Sequence, residues 1–171
     1  HEDVADRARA AVMIRRMIVR ASLSALHILA LAIGFGAVFA RGRRLRDLRQ
    51  KPEDAGALRR LFQADNLWGL AALLWIATGL LRAFGRMEKQ PEFYLRNGVF
   101  WVKMALFLLV LALEMYPMYT FIQWRVRRSR GRVPTAGANF HRLIALNDGE
   151  AAIVVLIPFA AALMARGAWL F

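Results

Sequence analysis

Apolar positions dominate four stretches of the chain: 21–40, 62–82, 99–121 and 143–165. Each is close to the roughly 20 residues that a helix needs to cross a bilayer. Charged residues are gathered into blocks between these stretches rather than interspersed, the pattern of a multi-span membrane protein. We therefore expect an all-α fold, an integral membrane antiparallel four-helix bundle over residues 21–171 preceded by a basic N-terminal arm over 1–20. The arm begins acidic, turns basic and lacks a clean apolar face, which predicts an interfacial helix leading into the first span. A cleavable leader is the rival reading, since arginines precede the apolar run and Val38-Phe39-Ala40 tolerates cleavage. We take the segment as a retained span.

The connections carry helix breakers. Residues 41–60 read as a helical overhang, a turn around Pro52 and Gly56, and the run-in to the second span. Residues 82–98, with Gly85, Pro91 and Gly98, have room for a short surface helix at most, and 123–141 is broken by Gly131, Pro134 and Gly137. Trp68, Trp101, Trp124 and Trp169 fall near span ends, where amphipathic rings favour the membrane interface.

Antiparallel spans fix the relative depth of the ionisable residues. His27, Arg82 and Lys103 fall toward one side with Met164; Asp65, Glu114, Asn147, Asp148 and Glu150 fall toward the other. The pattern predicts a basic layer and an acidic layer. A charge at the centre of a span costs about 2.5–3.5 kcal/mol or more, so these groups are expected to face the bundle interior. Ser24, His27, Leu31, Gly34 and Val38 share one helical stripe; Asp65, Gly69, Ala72, Ile76 and Gly79 share another, with Trp68, Trp75 and Arg82 on a separate face. Lys103 and Glu114 lie on one face of their helix but about 16 Å apart along its axis, so each needs a partner from elsewhere.

Composition narrows the function classes. The net charge of +13 comes from arginines flanking spans, which hold orientation and touch anionic lipid headgroups; nucleic acid is not an expected partner. The connections 41–60 and 123–141, with Arg142, carry fourteen Lys and Arg against ten in the arm, 82–98 and the tail. The excess places those two connections in the cytoplasm and both termini outside. With no cysteine, disulfides, thiolate-bound metals and c-type haem are excluded. No catalytic set emerges: the chain has no glycine-rich phosphate loop, nucleophile elbow or Ser/His/Asp arrangement.

His27 has two readings, an interhelical hydrogen bond by a neutral imidazole or axial ligation of haem b iron. For the second, Met104 or Met164 would be a sixth ligand, since His141 sits at the far end of its span. Arg82 either snorkels to headgroups or, with Lys103, pairs with carboxylates of a bound tetrapyrrole. Asp65, Glu114, Asp148 and Glu150 form either a proton path or ion pairs with Arg60, Arg125 or Arg142.

The segments LHILALAIGFGAVFARGRRLR, FQADNLWGLAALLWIATGLLRAFG, NGVFWVKMALFLLVLALEMYPM and ALNDGEAAIVVLIPFAAALMARG resemble an uncharacterised family of bacterial predicted membrane proteins, over about residues 20–167. The resemblance implies a bacterial cytoplasmic (inner) membrane protein and names no activity. More distantly, the order of elements is similar to the HemJ-type protoporphyrinogen oxidases, small haem-b membrane enzymes. His27, Lys103 and the run Arg142-Leu143-Ile144-Ala145-Leu146-Asn147-Asp148 stand at comparable places. The chain departs from that pattern where Glu114-Met115-Tyr116 and Ala40-Arg41 replace further histidines. Two functions remain open: a haem-b-binding, redox-related membrane protein, with His27, Arg82, Lys103 and Met164 around the cofactor, or a non-catalytic accessory subunit of a larger respiratory or photosynthetic complex.

Overall fold

The computed structural model describes residues 2–85 and 95–167, and these form four long helices. They are α1 (Glu2–Gln50), α2 (Ala55–Phe84), α3 (Gly98–Ser129) and α4 (Phe140–Ala165). All four contain stretches long and apolar enough to cross a membrane. Leu73, Leu108, Phe159 and Leu163 are among many large apolar side chains left on the outside, as expected where lipid rather than water is the solvent. The four-span antiparallel bundle is thus the fold.

Local sequence sets the helix ends. Lys51 precedes Pro52 and is biased out of the helical region, so α1 stops at Gln50. Asp54 caps α2 by accepting from the backbone N–H groups of Gly56 and Ala57. Asn97 and Asn139 cap α3 and α4 in the same way, through Val99 and Arg142. Gly131, at φ 66°, takes the left-handed conformation just past α3 that a side chain would resist. Gly56, expected as a breaker, instead lies in the first turn of α2. The short helix expected within 82–98 and Trp169 at the tail fall largely or wholly outside the described residues.

α1 is a single helix of 49 residues, so the arm and first span are continuous rather than hinged. α2 packs antiparallel along α1, and α4 packs against both α1 and α3. α2 and α3 are less closely joined, which leaves a cleft between them. The interior has two apolar clusters. The first joins Leu45, Leu48, Leu58, Leu61, Phe121, Trp124 and Leu143 near the 51–54 and 130–139 connections. The second joins Ala37, Val38, Trp68, Val110, Val154 and Ile157 nearer the middle of the bundle. Trp68 and Trp124 belong to these clusters, 7% and 2% exposed, so their rings pack against the other helices rather than outward. Trp101 is exposed and donates to Leu95 O.

Candidate functional site: two polar storeys in the bundle

Between the two apolar clusters lies Arg41, fully buried on α1. Its guanidinium meets three carboxyl groups from three other helices. Nη1 donates to both oxygens of Glu114 at 2.8 and 2.9 Å and approaches Asp65 Oδ1 at 3.4 Å. Nη2 donates to Glu150 Oε2, and Nε donates to Asn147 Oδ1 at 2.8 Å. Trp68 closes the group: its Nε1–H donates to Glu114 Oε2 at 3.1 Å, and its ring centroid stands 5.6 Å from Arg41 Cζ. Arg125 joins from α3, donating to Asp65 Oδ2 and Asn66 Oδ1, each at 2.9 Å.

The planar guanidinium suits this position because its five N–H donors spread in a fixed fork, which a lysine ammonium lacks. Gly42 supplies the room. A Cβ there would stand 2.5 Å from Asn147 Nδ2, so only glycine lets Asn147 reach across to Arg41 and to Val38 O.

The acidic layer therefore assembles around Asp65, Glu114 and Glu150, with two corrections. Asp148 is not part of it: half-exposed, it pairs with Arg46 at 2.7 Å on the bundle surface. Of the three arginines expected as partners, Arg125 takes that role. Arg60 faces Asp54, and Arg142 stacks over Tyr116 with Cζ 4.1 Å from the ring centroid. Arg41 itself was hidden at the head of RGRRLR, where it reads as the first of a solvated run. The signal that could have found it is the stripe Val38, Arg41, Leu45, Leu48, whose apolar members are all fully buried and which sets Arg41 on the inward face.

The basic storey lies on the other side of the second apolar cluster. His27, Arg82, Lys103 and Met164 line one cavity of about 360 Å³, walled by Leu31, Trp75, Gly79, Ile157 and Pro158. A smaller lobe beside it adds Met104, Phe100 and Phe107 to the wall. His27 packs on Gly79, where a Cβ would come within 3.3 Å of its Cε1, and its ring centroid is 5.7 Å from that of Trp75. Trp75 and Phe107 meet edge to face across the cleft. The Trp68, Trp75, Arg82 stripe thus faces inward, while Gly69, expected inside, is exposed.

The neighbours of His27 fix its protons. Thr78 Oγ1 lies 2.6 Å from Leu74 O, a separation that requires the hydroxyl proton between them. Thr78 therefore accepts from His27, and Nδ1, 2.8 Å away, carries the N–H. In the neutral ring Nε2 then bears the lone pair. The interhelical hydrogen bond expected of His27 is present, and it holds Nδ1–H against Thr78, the kind of outer contact that orients metal-binding imidazoles. Among the described residues no three His, Cys, Asp or Glu side chains converge as a metal site.

Fold and site together define a four-helix integral membrane protein with a buried arginine–carboxylate knot in one storey and a basic-lined cavity in the other. The family model described as "Predicted membrane protein (DUF2214)" matches residues 19–168, and the chain belongs to that family. No curated protein and no solved structure matches it.

Proposed function

We propose that this membrane protein holds a largely apolar ligand with an anionic edge in the cavity beside His27, haem b being the specific candidate. The observation that carries the reading is His27, oriented through Nδ1 by Thr78, in a cavity shared with Arg82, Lys103 and Met164. The cavity volume, about 360 Å³, falls within the range of roughly 300–1,000 Å³ usual for small-molecule sites. Haem brings four nitrogens of its own, so one imidazole meets the requirement that side chains alone would need three or four donors to meet. His27 would hold the iron, Arg82 and Lys103 would pair with the propionates, and Met104 or Met164 would offer a thioether from the cavity wall. The iron would supply one-electron chemistry.

The test is an absorption spectrum of protein expressed with haem available and purified in detergent. A Soret band that is lost in His27→Ala, with the helical circular dichroism unchanged, supports the reading. A colourless wild-type protein that also fails to take up added haem overturns it.

A second reading, an accessory subunit of a larger membrane complex, is favoured by α1. Val12, Met13, Ile14, Met17 and Ile18 are each more than half exposed on its N-terminal part. Co-purification of other membrane subunits, lost on removal of residues 2–18, supports that reading. We further propose that the 51–54 and 130–139 connections face the cytoplasm, although burial of Arg41 lowers their Lys and Arg excess by one. The chain has no cysteine, so a single cysteine at Glu53 or Arg132, both exposed, reports the side directly by labelling in intact cells.

A further inference from the structure

The Arg41 knot does not balance. The charged groups that face it are Arg41 from α1, Asp65 from α2, Glu114 and Arg125 from α3, and Glu150 from α4. Two guanidinium groups thus meet three carboxyl groups. An excess negative charge mostly buried between two apolar clusters is costly, and carboxyl groups crowded onto one site hold a proton between them rather than all ionise. Hydrogen bonding selects the one that keeps it. Both oxygens of Glu114 receive donors, from Arg41 Nη1 and Trp68 Nε1. Both oxygens of Asp65 face guanidinium nitrogens. Glu150, with no exposed surface, receives Arg41 on Oε2 alone; its buried Oε1 receives no donor, and the Glu114 carboxylate is within hydrogen-bond reach of the Glu150 carboxyl to accept a proton held there.

We propose that this knot is an intramembrane proton-binding site, with the proton on Glu150 Oε1 and exchange through the cleft between α2 and α3. That cleft, about 480 Å³, is lined by Asp65, Trp68, Leu73, Val110, Glu114 and Arg125 among others. The side chains of Asp65 and Glu114 keep 13% and 18% of their surface exposed, whereas Glu150 keeps none. A proton from water enters by way of Glu114, the carboxylate that shares Arg41 with Glu150. It forms an O–H bond on Glu150 and leaves by the same route; no electron moves. The site is separate from the cavity at His27 and does not rest on any ligand there.

Infrared difference spectroscopy of the full chain in lipid, stepped between neutral and alkaline pH, tests the site. A protonated carboxyl shows a C=O stretch that a carboxylate lacks. The expected result is one such band at neutral pH, lost on raising the pH, displaced by glutamate labelled with ¹³C at its side-chain carboxyl, absent in Glu150→Gln and retained in Asp148→Asn. A wild-type protein with no band at neutral pH overturns the proposal, as does a band that ignores the glutamate label or survives in Glu150→Gln. The label needs no variant, so the result stands even where Glu150→Gln does not fold.

Discussion

Arg41 and Glu114 are 73 positions apart in the chain and meet through two hydrogen bonds, from Nη1 to Oε1 at 2.8 Å and to Oε2 at 2.9 Å. The pair ties α1 to α3, helices otherwise joined mainly by way of α4. Removing the cation strands the carboxylates in a mostly buried site, and breaking a buried pair in this way costs about 3–5 kcal/mol. Arg41→Met is therefore expected to lower the unfolding free energy in detergent by that order. Arg41→Lys should lose less, because it keeps the charge, yet still lose some, because a point charge cannot serve Asn147 and three carboxyl groups together. Glu114→Gln added to Arg41→Met should recover part of the loss, since it removes one stranded carboxylate. Equal stability of wild type and Arg41→Met would show that the knot holds nothing together.

Gly42 makes a sharper test of the same packing, because it changes no charge. Alanine is the better helix former by about 1 kcal/mol, so an uncrowded glycine-to-alanine change is neutral or stabilising. Gly36, with open space around its would-be Cβ, is such a position. At Gly42 the new methyl would stand 2.5 Å from Asn147 Nδ2, and overpacking of this kind costs about 1–3 kcal/mol. Gly42→Ala should thus melt earlier than wild type while Gly36→Ala does not. The two behaving alike would mean that Asn147 has room to move.

Much of this architecture is legible in the apolar pattern. Four runs near bilayer length give the four helices, and antiparallel depth alone puts His27, Arg82 and Lys103 in one storey and Asp65, Glu114 and Glu150 in the other. What hydropathy hides is the exception to its own rule. Arg41 follows Ala40 and opens a basic run, so its sequence neighbours announce solvent while its helical neighbours, Val38 and Leu45, announce core. Asp148 errs in the opposite direction: one residue from Asn147 and two from Glu150, it turns outward because a helix rotates about 100° per residue. Depth is a one-dimensional property and can be counted; facing needs the neighbouring helix.

Outside the membrane-spanning segments, Asp54 gives a pH prediction. The backbone N–H of Ala57 holds its carboxyl below the usual range against some desolvation, with further help from Gly56, Arg60 and Lys51. A carboxyl lowered in the folded state contributes stability that is present above its unfolded value and lost as pH falls through its folded value. The start of α2 should therefore loosen as the solution is acidified through the carboxylate range. Asn caps as well as Asp but does not titrate, so Asp54→Asn should keep the cap and lose that acid response. Hydrogen exchange at the Gly56 and Ala57 amides measures it. An identical pH profile in both proteins would place the acid sensitivity elsewhere.

Thr78 separates the two roles of His27. It is buried on α2, spends its own proton on Leu74 O and accepts from His27 Nδ1, so its oxygen is what holds the ring's proton on Nδ1. Thr78→Val keeps the shape and removes the acceptor. The lost hydrogen bond should cost about 1 kcal/mol in stability whether or not anything occupies the cavity. If His27 also ligates haem iron, the loss of this supporting contact should weaken haem retention by about 10–100-fold, as removal of such partners does at other metal sites. Titration of haem into wild type and Thr78→Val, followed at the Soret band beside thermal unfolding of the haem-free proteins, reads both quantities. A stability loss with unchanged haem affinity would leave His27 as a tie between α1 and α2 and move the ligand to another side chain.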